Sequence, residues 1–212
     1  MICVSINELT VEDCLKRLKG EQLAEIRLEE LNPDLEELEI LFSQPLKLIA
    51  TCRPGKLTEK ERLDILNNAI ISGATYVDIE YDVSTKFRKK IISIANKYNC
   101  ELIISYHNYQ LTPEANELEK LINLSFSSGA DICKIACRIN DQSDIGRIFS
   151  LYDSDKRIIA LGMGDKGKLT RIIAPLLGAE FTYVSSEPGK ETAPGQLSKN
   201  TILEILKQIK NL

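Results

Sequence analysis

Tryptophan is absent from the 212 residues, and histidine occurs once, at position 107. One histidine and six cysteines with no Cys-x-x-Cys pair leave no ligand set of the usual spacing for structural zinc. Six cysteines in a chain of this length do not form a disulfide framework either. Cys52, Cys133 and Cys137 fall in strand-like segments, where a free thiol acts as a small hydrophobe. No window reaches 18 apolar residues, the length a membrane-spanning helix needs. The start of the chain, MICVSINELTVEDCL, lacks the basic region and apolar stretch of a signal peptide. Low-complexity tracts and Pro/Gly/Ser linkers are also missing. Neither sign of charge dominates: 27 Lys and Arg face 31 Asp and Glu, which gives no basis for a nucleic-acid or membrane partner. These absences describe a cytoplasmic protein, and its 43% apolar content suffices for a sizeable core.

Strand-like and helix-like segments alternate from end to end. The strand-like ones are 2–6, 23–31, 46–53, 76–82, 101–107, 131–139, 156–164 and 181–186. The helix-like ones are 10–20, 34–42, 58–73, 85–99, 112–129, 143–152, 167–178 and 198–212. In the last helix Ile202, Ile205, Leu206 and Ile209 recur at i, i+3, i+4 and i+7. Gly73, Gly129 and Gly178 stand where helices are expected to end. Eight β-α units predict a (β/α)8 barrel, a fold found from about 200 residues upward. It would form one domain over residues 1–212. A doubly wound open sheet is the main rival.

The strand faces favour the barrel. Ala24, Ile26 and Leu28 alternate with Glu25, Arg27 and Glu29; Val77, Ile79 and Tyr81 alternate with Asp78, Glu80 and Asp82. Cys133, Ile135 and Cys137 oppose Lys134 and Arg138. The apolar rows suit a helix layer, which turns the charged rows inward. Barrel interiors are normally filled with Val, Ile and Leu. An interior pooling Glu25, Arg27, Arg53, Glu80, His107 and Lys134 reads as a ligand site.

Lys134 lies mid-strand in ADICKIACRI, where burial should lower its proton affinity. A neutral amine forms a Schiff base with a ketone or aldehyde. The plainer alternative is a lysine paired with Glu or Asp across the barrel. His107 ends the fifth strand, beside the strand of Lys134, where barrel catalytic groups sit. A neutral imidazole there suits removal and return of a proton next to an iminium. A bond to a loop carbonyl is the ordinary alternative.

GMGDKG (162–167) matches G-x-G-x-x-G, yet it follows the seventh strand, whereas a dinucleotide motif belongs in a first β-α turn. After strands 7 and 8 a barrel commonly holds an anion, and Arg171 one turn further on agrees with that. ETAPGQ (191–196), after the eighth strand, offers Thr192 and Gln196 as hydrogen-bonding groups.

Together these segments resemble type I 3-dehydroquinate dehydratase of the shikimate pathway. EIR (25–27) resembles the family's Glu-x-Arg and TCR (51–53) its Thr-x-Arg. SYHNY (105–109) with TPE (112–114) resembles the catalytic-histidine segment, and ADICKIA (130–136) the Schiff-base-lysine segment. MGDKGKLTR (163–171) is similar to Met-x-x-x-Gly-x-x-Ser-Arg, and TAPGQLS (192–198) to Ser-Ala-Pro-Gly-Gln-x-Ser. The resemblance implies a barrel without metal or cofactor, acting as a homodimer in syn elimination of water from 3-dehydroquinate. It implies Lys134 as the imine-forming residue and His107 as the acid-base group. Arg171 and Gln196, with Thr192 nearby, would hold the substrate carboxylate. Glu25, Arg27 and Arg53 would hold ring hydroxyls, with Ser5 a further binding residue and Met163 and Phe181 as walls.

The chain departs from the family's pattern in three places. RPGKLTEKER replaces the segment in which a Glu-Gly-Gly glutamate supports the histidine. Glu80 is then expected to orient His107, with Glu59 as second candidate. Asn108 stands where an aspartate is common. The first strand begins near residue 2, so the N-terminal plug of many members would be absent or replaced. Two other readings share these residues: a class I aldolase for a phosphorylated sugar, and an inactive barrel that senses pathway metabolites.

Overall fold

A computed structural model describes residues 1–211, and Leu212, the expected end of the last helix, lies outside the described residues. Strands and helices follow one another as β1 (Ile2–Ile6), α1 (Val11–Leu18), β2 (Leu23–Arg27), α2 (Leu28–Leu31), α3 (Leu35–Phe42), β3 (Lys47–Thr51), α4 (Glu59–Ile71), β4 (Tyr76–Glu80) and α5 (Thr85–Tyr98). The second half continues with β5 (Glu101–Asn108), α6 (Ala115–Ser127), β6 (Ile132–Arg138), α7 (Gln142–Ser150), β7 (Ile158–Met163), α8 (Lys168–Ile173), β8 (Thr182–Ser185) and α9 (Lys199–Lys210). All strand pairs are parallel, and the ladder runs without a break from β7 through β6 and β5 round to β1 and β8. At the seam between β7 and β8, the Glu180 amide donates to the Ile158 carbonyl at 3.2 Å. The result is the eight-stranded barrel expected from the β-α alternation, not the open doubly wound sheet.

Two segments differ from the expected pattern. Residues 28–31, read as a continuation of strand 2, form the single helical turn α2. It closes at Asn32, whose left-handed backbone (φ 43°) lets its amide donate to the Leu28 carbonyl, and Pro33 follows. Segment 167–178 is a short α8 followed by a 3-10 turn over Ala174–Leu176, where Pro175 has no amide hydrogen to continue the helix.

The interior is built in tiers. At the N-terminal end of the strands Cys3, Leu23, Ile49, Tyr76, Ile103, Ile132, Ile159 and Phe181 form an apolar plug. Two residues further along, the same strands present Ser5, Glu25, Thr51, Asp78, Ser105, Lys134, Leu161 and Tyr183, most of them polar and all buried. Two residues further again come Arg27, Arg53, Glu80, His107, Ala136 and Met163. Alternate side chains share a face, so each strand carries one row from dry core to polar site. The opposite row, including Val4, Ile26, Ala50, Val77 and Ile104, packs under the helices. Below the plug Arg157 braces Glu101 with two bonds of 2.9 Å and Glu180 at 2.7 Å.

Because the plug is fully enclosed, truncating it leaves a cavity. Ile103→Ala is expected to lower unfolding stability by about 2–5 kcal/mol, read from urea denaturation.

Candidate active site

Ten of the residues marked in the sequence line one cavity at the C-terminal mouth of the barrel: Ser5, Glu25, Arg27, Arg53, His107, Lys134, Met163, Arg171, Thr192 and Gln196. Lys134 is 6% exposed. Its ammonium donates to Asp78 Oδ2 at 3.0 Å, lies 3.7 Å from Glu25 Oε1, and stands 4.1 Å from the centre of the Tyr183 ring. The lysine is therefore not an isolated buried amine, as burial alone suggested. It is a partnered one, carried on a strand whose other face is core.

Asp78 organises the surrounding charges. It is fully buried and accepts both terminal nitrogens of Arg53 at 2.9 Å, together with Ser105 Oγ–H at 2.6 Å. Burial alone would raise its proton affinity, but Arg53 and Lys134 outweigh that and hold the carboxyl well below the usual range. Glu25 balances in the same way: burial raises it, Lys134, Arg27 and Arg53 lower it, and the net shift is downward. Glu25 also accepts the hydroxyls of Ser5 and Thr51, each at 3.0 Å. Arg27 turns to Glu29 on α2 through Nε at 2.7 Å, and the same carboxylate receives the Arg53 amide.

Arg171 stands apart from this pairing. It is 2% exposed, its Nε has no partner among the described residues, and the one hydrogen bond its side chain makes to them is a 3.5 Å contact with the Pro194 carbonyl. With no carboxylate beside it, burial pulls the guanidinium down to about 10. A buried cation without a counter-ion is costly, and in a cavity such a group is able to take up an anion. Gln196 completes that side: its amide NH2 donates to Ser5 Oγ at 3.3 Å and its oxygen accepts the Thr192 amide at 2.7 Å. The loop bearing them is docked to the turn after β7, where the Gly164 amide donates to the Pro194 carbonyl at 3.1 Å. Gly195, at φ 76°, lies so close to the Gly164 backbone that any Cβ would collide with it.

Four residues depart from expectation. Glu80 does not orient His107: Arg53 Nη1 at 2.8 Å takes one of its oxygens and Arg62, from α4, takes the other. Glu59 is exposed at the start of α4 and accepts Ser84 Oγ–H at 2.9 Å. Phe181 does not wall the cavity but belongs to the plug beneath it, its ring 5.5 Å from that of Tyr183. Tyr183, one inward step higher, is the aromatic wall. Arg138, expected to point inward with Lys134, is exposed at the end of β6. The sequence reading also missed Asp78 and Tyr183 as site residues, although both sit on inward rows, and Arg62, which comes from outside the barrel.

His107 lies parallel to Tyr109, the ring centres 6.3 Å apart. Burial and the positive charges of Arg53 and Lys134, opposed in part by Asp78, hold the imidazole well below its ordinary value. It is neutral at pH 7 and able to accept a proton. Being the only histidine, it gives a single imidazole resonance. That resonance is expected to titrate well below about 6.5. The unfolded state binds the proton more readily, so this group's contribution to stability is complete above about pH 6.5 and is lost as pH falls through the folded value. NMR titration and denaturation between neutral and acid pH read both effects.

Comparison with known proteins adds the following. The family model for type I 3-dehydroquinase matches residues 2–212. A 3-dehydroquinate dehydratase of Dehalococcoides mccartyi is 33% identical over 217 residues, covering 98% of this chain and 95% of that protein. The crystal structure of the 3-dehydroquinate dehydratase from Aquifex aeolicus superposes with a TM-score of 0.82 at 29% identity, covering 98% of both chains. That of the type I enzyme from Clostridium difficile with covalently modified comenic acid gives 0.87 at 22% identity, covering 100% of this chain and 92% of that one.

Proposed function

The chain belongs to the type I 3-dehydroquinase family, and from that premise we propose which of its side chains remove water from 3-dehydroquinate. The activity is that of a hydro-lyase of the shikimate pathway; neither the aldolase nor the sensor reading is favoured. The observation that carries the assignment is the meeting, in one cavity, of a buried lysine, the sole histidine and a buried arginine without a counter-ion.

Lys134 passes one ammonium proton to neutral His107 and attacks the ring ketone as the free amine; His107 returns that proton to the carbinolamine hydroxyl, which leaves as water to give the protonated imine. The iminium draws electrons from the adjacent C–H bond, and neutral His107 takes that proton to leave an enamine. The enamine expels the β-hydroxyl, to which His107 returns its proton, so a second water departs. Hydrolysis of the conjugated imine consumes one water and releases 3-dehydroshikimate and Lys134. Arg171 holds the substrate carboxylate, a bidentate match for a guanidinium, with Gln196 and Thr192 beside it. Arg27, Arg53, Glu25 and Ser5 hold ring hydroxyls, and Met163 closes one wall. The whole chain acts as one catalytic domain, in the cytoplasm, as a homodimer, which sedimentation at micromolar concentration would register.

Borohydride added with 3-dehydroquinate is expected to fix the dehydrated ligand to Lys134, located by peptide mapping. Lys134→Ala should abolish the adduct and lower kcat by about a thousandfold or more; full turnover by this variant would overturn the assignment. Arg171→Met is expected to raise KM by about tenfold to a hundredfold through loss of a charged bidentate contact, measured by steady-state kinetics.

A further inference from the structure

Arg62 touches no part of the cavity, yet two of its bonds end next to Arg53. It lies one turn into α4, a helix whose start is fixed by the reciprocal bonds of Thr58 and Glu61. The side chain is 5% exposed and runs inward between β3 and β4, with its guanidinium 5.4 Å from the centre of the Phe87 ring. Its Nε donates to the carbonyl of Cys52 at 2.8 Å, the residue immediately before Arg53. Its Nη2 donates to Glu80 Oε2, while the other oxygen of Glu80 accepts Arg53 Nη1.

Arg62 thus restrains Arg53 from both ends, at the peptide that precedes it and at the carboxylate that receives its guanidinium. Glu80 also borders a second opening of the barrel mouth, shared with Tyr81, Asp82 and Tyr106. Released from Arg62, its carboxylate has water to turn toward, and the Arg53 guanidinium loses a fixed acceptor. Lys134 has its own contacts with Asp78 and Glu25, neither of which Arg62 touches.

We propose that Arg62 is a positioning residue for substrate binding, acting from outside the barrel through Glu80 and the Cys52 carbonyl to hold Arg53 in register with the ligand. This rests on the reading of Arg53 as a substrate-binding group. A structural bolt alone would change the melting temperature and not the affinity for substrate. Arg62→Met keeps the side chain's bulk and removes its donors. It is expected to raise KM for 3-dehydroquinate about fivefold to tenfold, the loss associated with one net hydrogen bond, with kcat within about twofold. Borohydride trapping at Lys134 should persist at saturating substrate. Arg62→Lys, which restores the charge, should recover part of the affinity.

A lowered melting temperature with KM unchanged would overturn the proposal, as would loss of kcat and of trapping together. If Arg62→Met does not fold, Glu80→Gln keeps Arg62 and the side-chain shape while removing the charge; it should raise KM in the same direction, and an unchanged KM overturns the proposal. Arg53→Met is the control. Unchanged KM there would defeat the assignment of Arg53 itself, whereas raised KM there with wild-type KM in Arg62→Met defeats only the role of Arg62.

Discussion

A lysine ammonium sits inside a barrel, and the rest of the interior is arranged around keeping it there. An isolated charge at that depth is costly. The cost is offset by a run of alternating signs, Arg62, Glu80, Arg53, Asp78, Lys134 and Glu25, each in contact with the next. Such a network is weak evidence for stability, because replacing buried ion pairs by well-packed apolar residues is often neutral or better. Its effect here is geometric. The chain crosses from helix α4 through β3 and β4 to β6 and β2, so displacing one member alters the surroundings of the next. The dry plug one tier below lets the polar tier exist: Ile49, Ile103, Ile132 and Ile159 provide burial that a polar interior cannot.

Outside that run, Arg171 has no counter-ion among the described residues, and neutral His107 makes no hydrogen bond to a carboxylate there. In the proposed reaction these are the places for a ligand's charge and a mobile proton. A fully satisfied network rigidifies a site, whereas an unpaired buried guanidinium improves its own energy only when an anion arrives. In the proposed reaction, its position next to the latched loop of Thr192 and Gln196 puts the carboxylate-binding end of the cavity between β7 and β8 and the imine-forming end at β6.

Alternation along the strands made much of this legible from sequence. The inward rows of β2, β3, β5 and β6 are read correctly for Glu25, Arg27, Arg53, His107 and Lys134, because a period of two assigns each residue to a face without ambiguity. Depth along the barrel axis is different: it depends on strand stagger, which alternation does not encode. Phe181 and Tyr183 share a face, and only the three-dimensional register shows that the first belongs to the plug and the second to the cavity. The partner of Glu80 was hidden for another reason. Arg62 reads as one more charge near the start of an amphipathic helix, and its inward course between two strands is set by packing on Phe87. The turn at 28–31 is masked because Leu28 and Glu29 continue the apolar-polar alternation of β2, though Glu30 breaks it and Asn32 and Pro33 mark the stop.

The same electrostatics bear on the proton's path. With the imine placed at Lys134 as proposed, the iminium keeps the ammonium's single positive charge, so the field of Asp78 and Glu25 suits both states without rearrangement. That charge also suppresses proton binding at His107. When His107 removes the proton, the iminium becomes a neutral enamine and the suppression from Lys134 vanishes. The imidazole becomes a better base as its proton arrives. When the enamine expels hydroxide the iminium charge returns, the suppression is restored, and the imidazolium gives up its proton to the leaving oxygen. The charge on the Lys134 nitrogen and the proton on the imidazole interact, and the sign of that interaction favours each transfer in turn. A fixed carboxylate against His107 would stabilise the imidazolium in both halves of this cycle and blunt the second transfer. In this chain Glu80, on the neighbouring strand, is engaged instead by Arg53 and Arg62, and the histidine's proton affinity is governed by burial, by the fixed charges of Arg53 and Asp78 and by the charge state of the lysine.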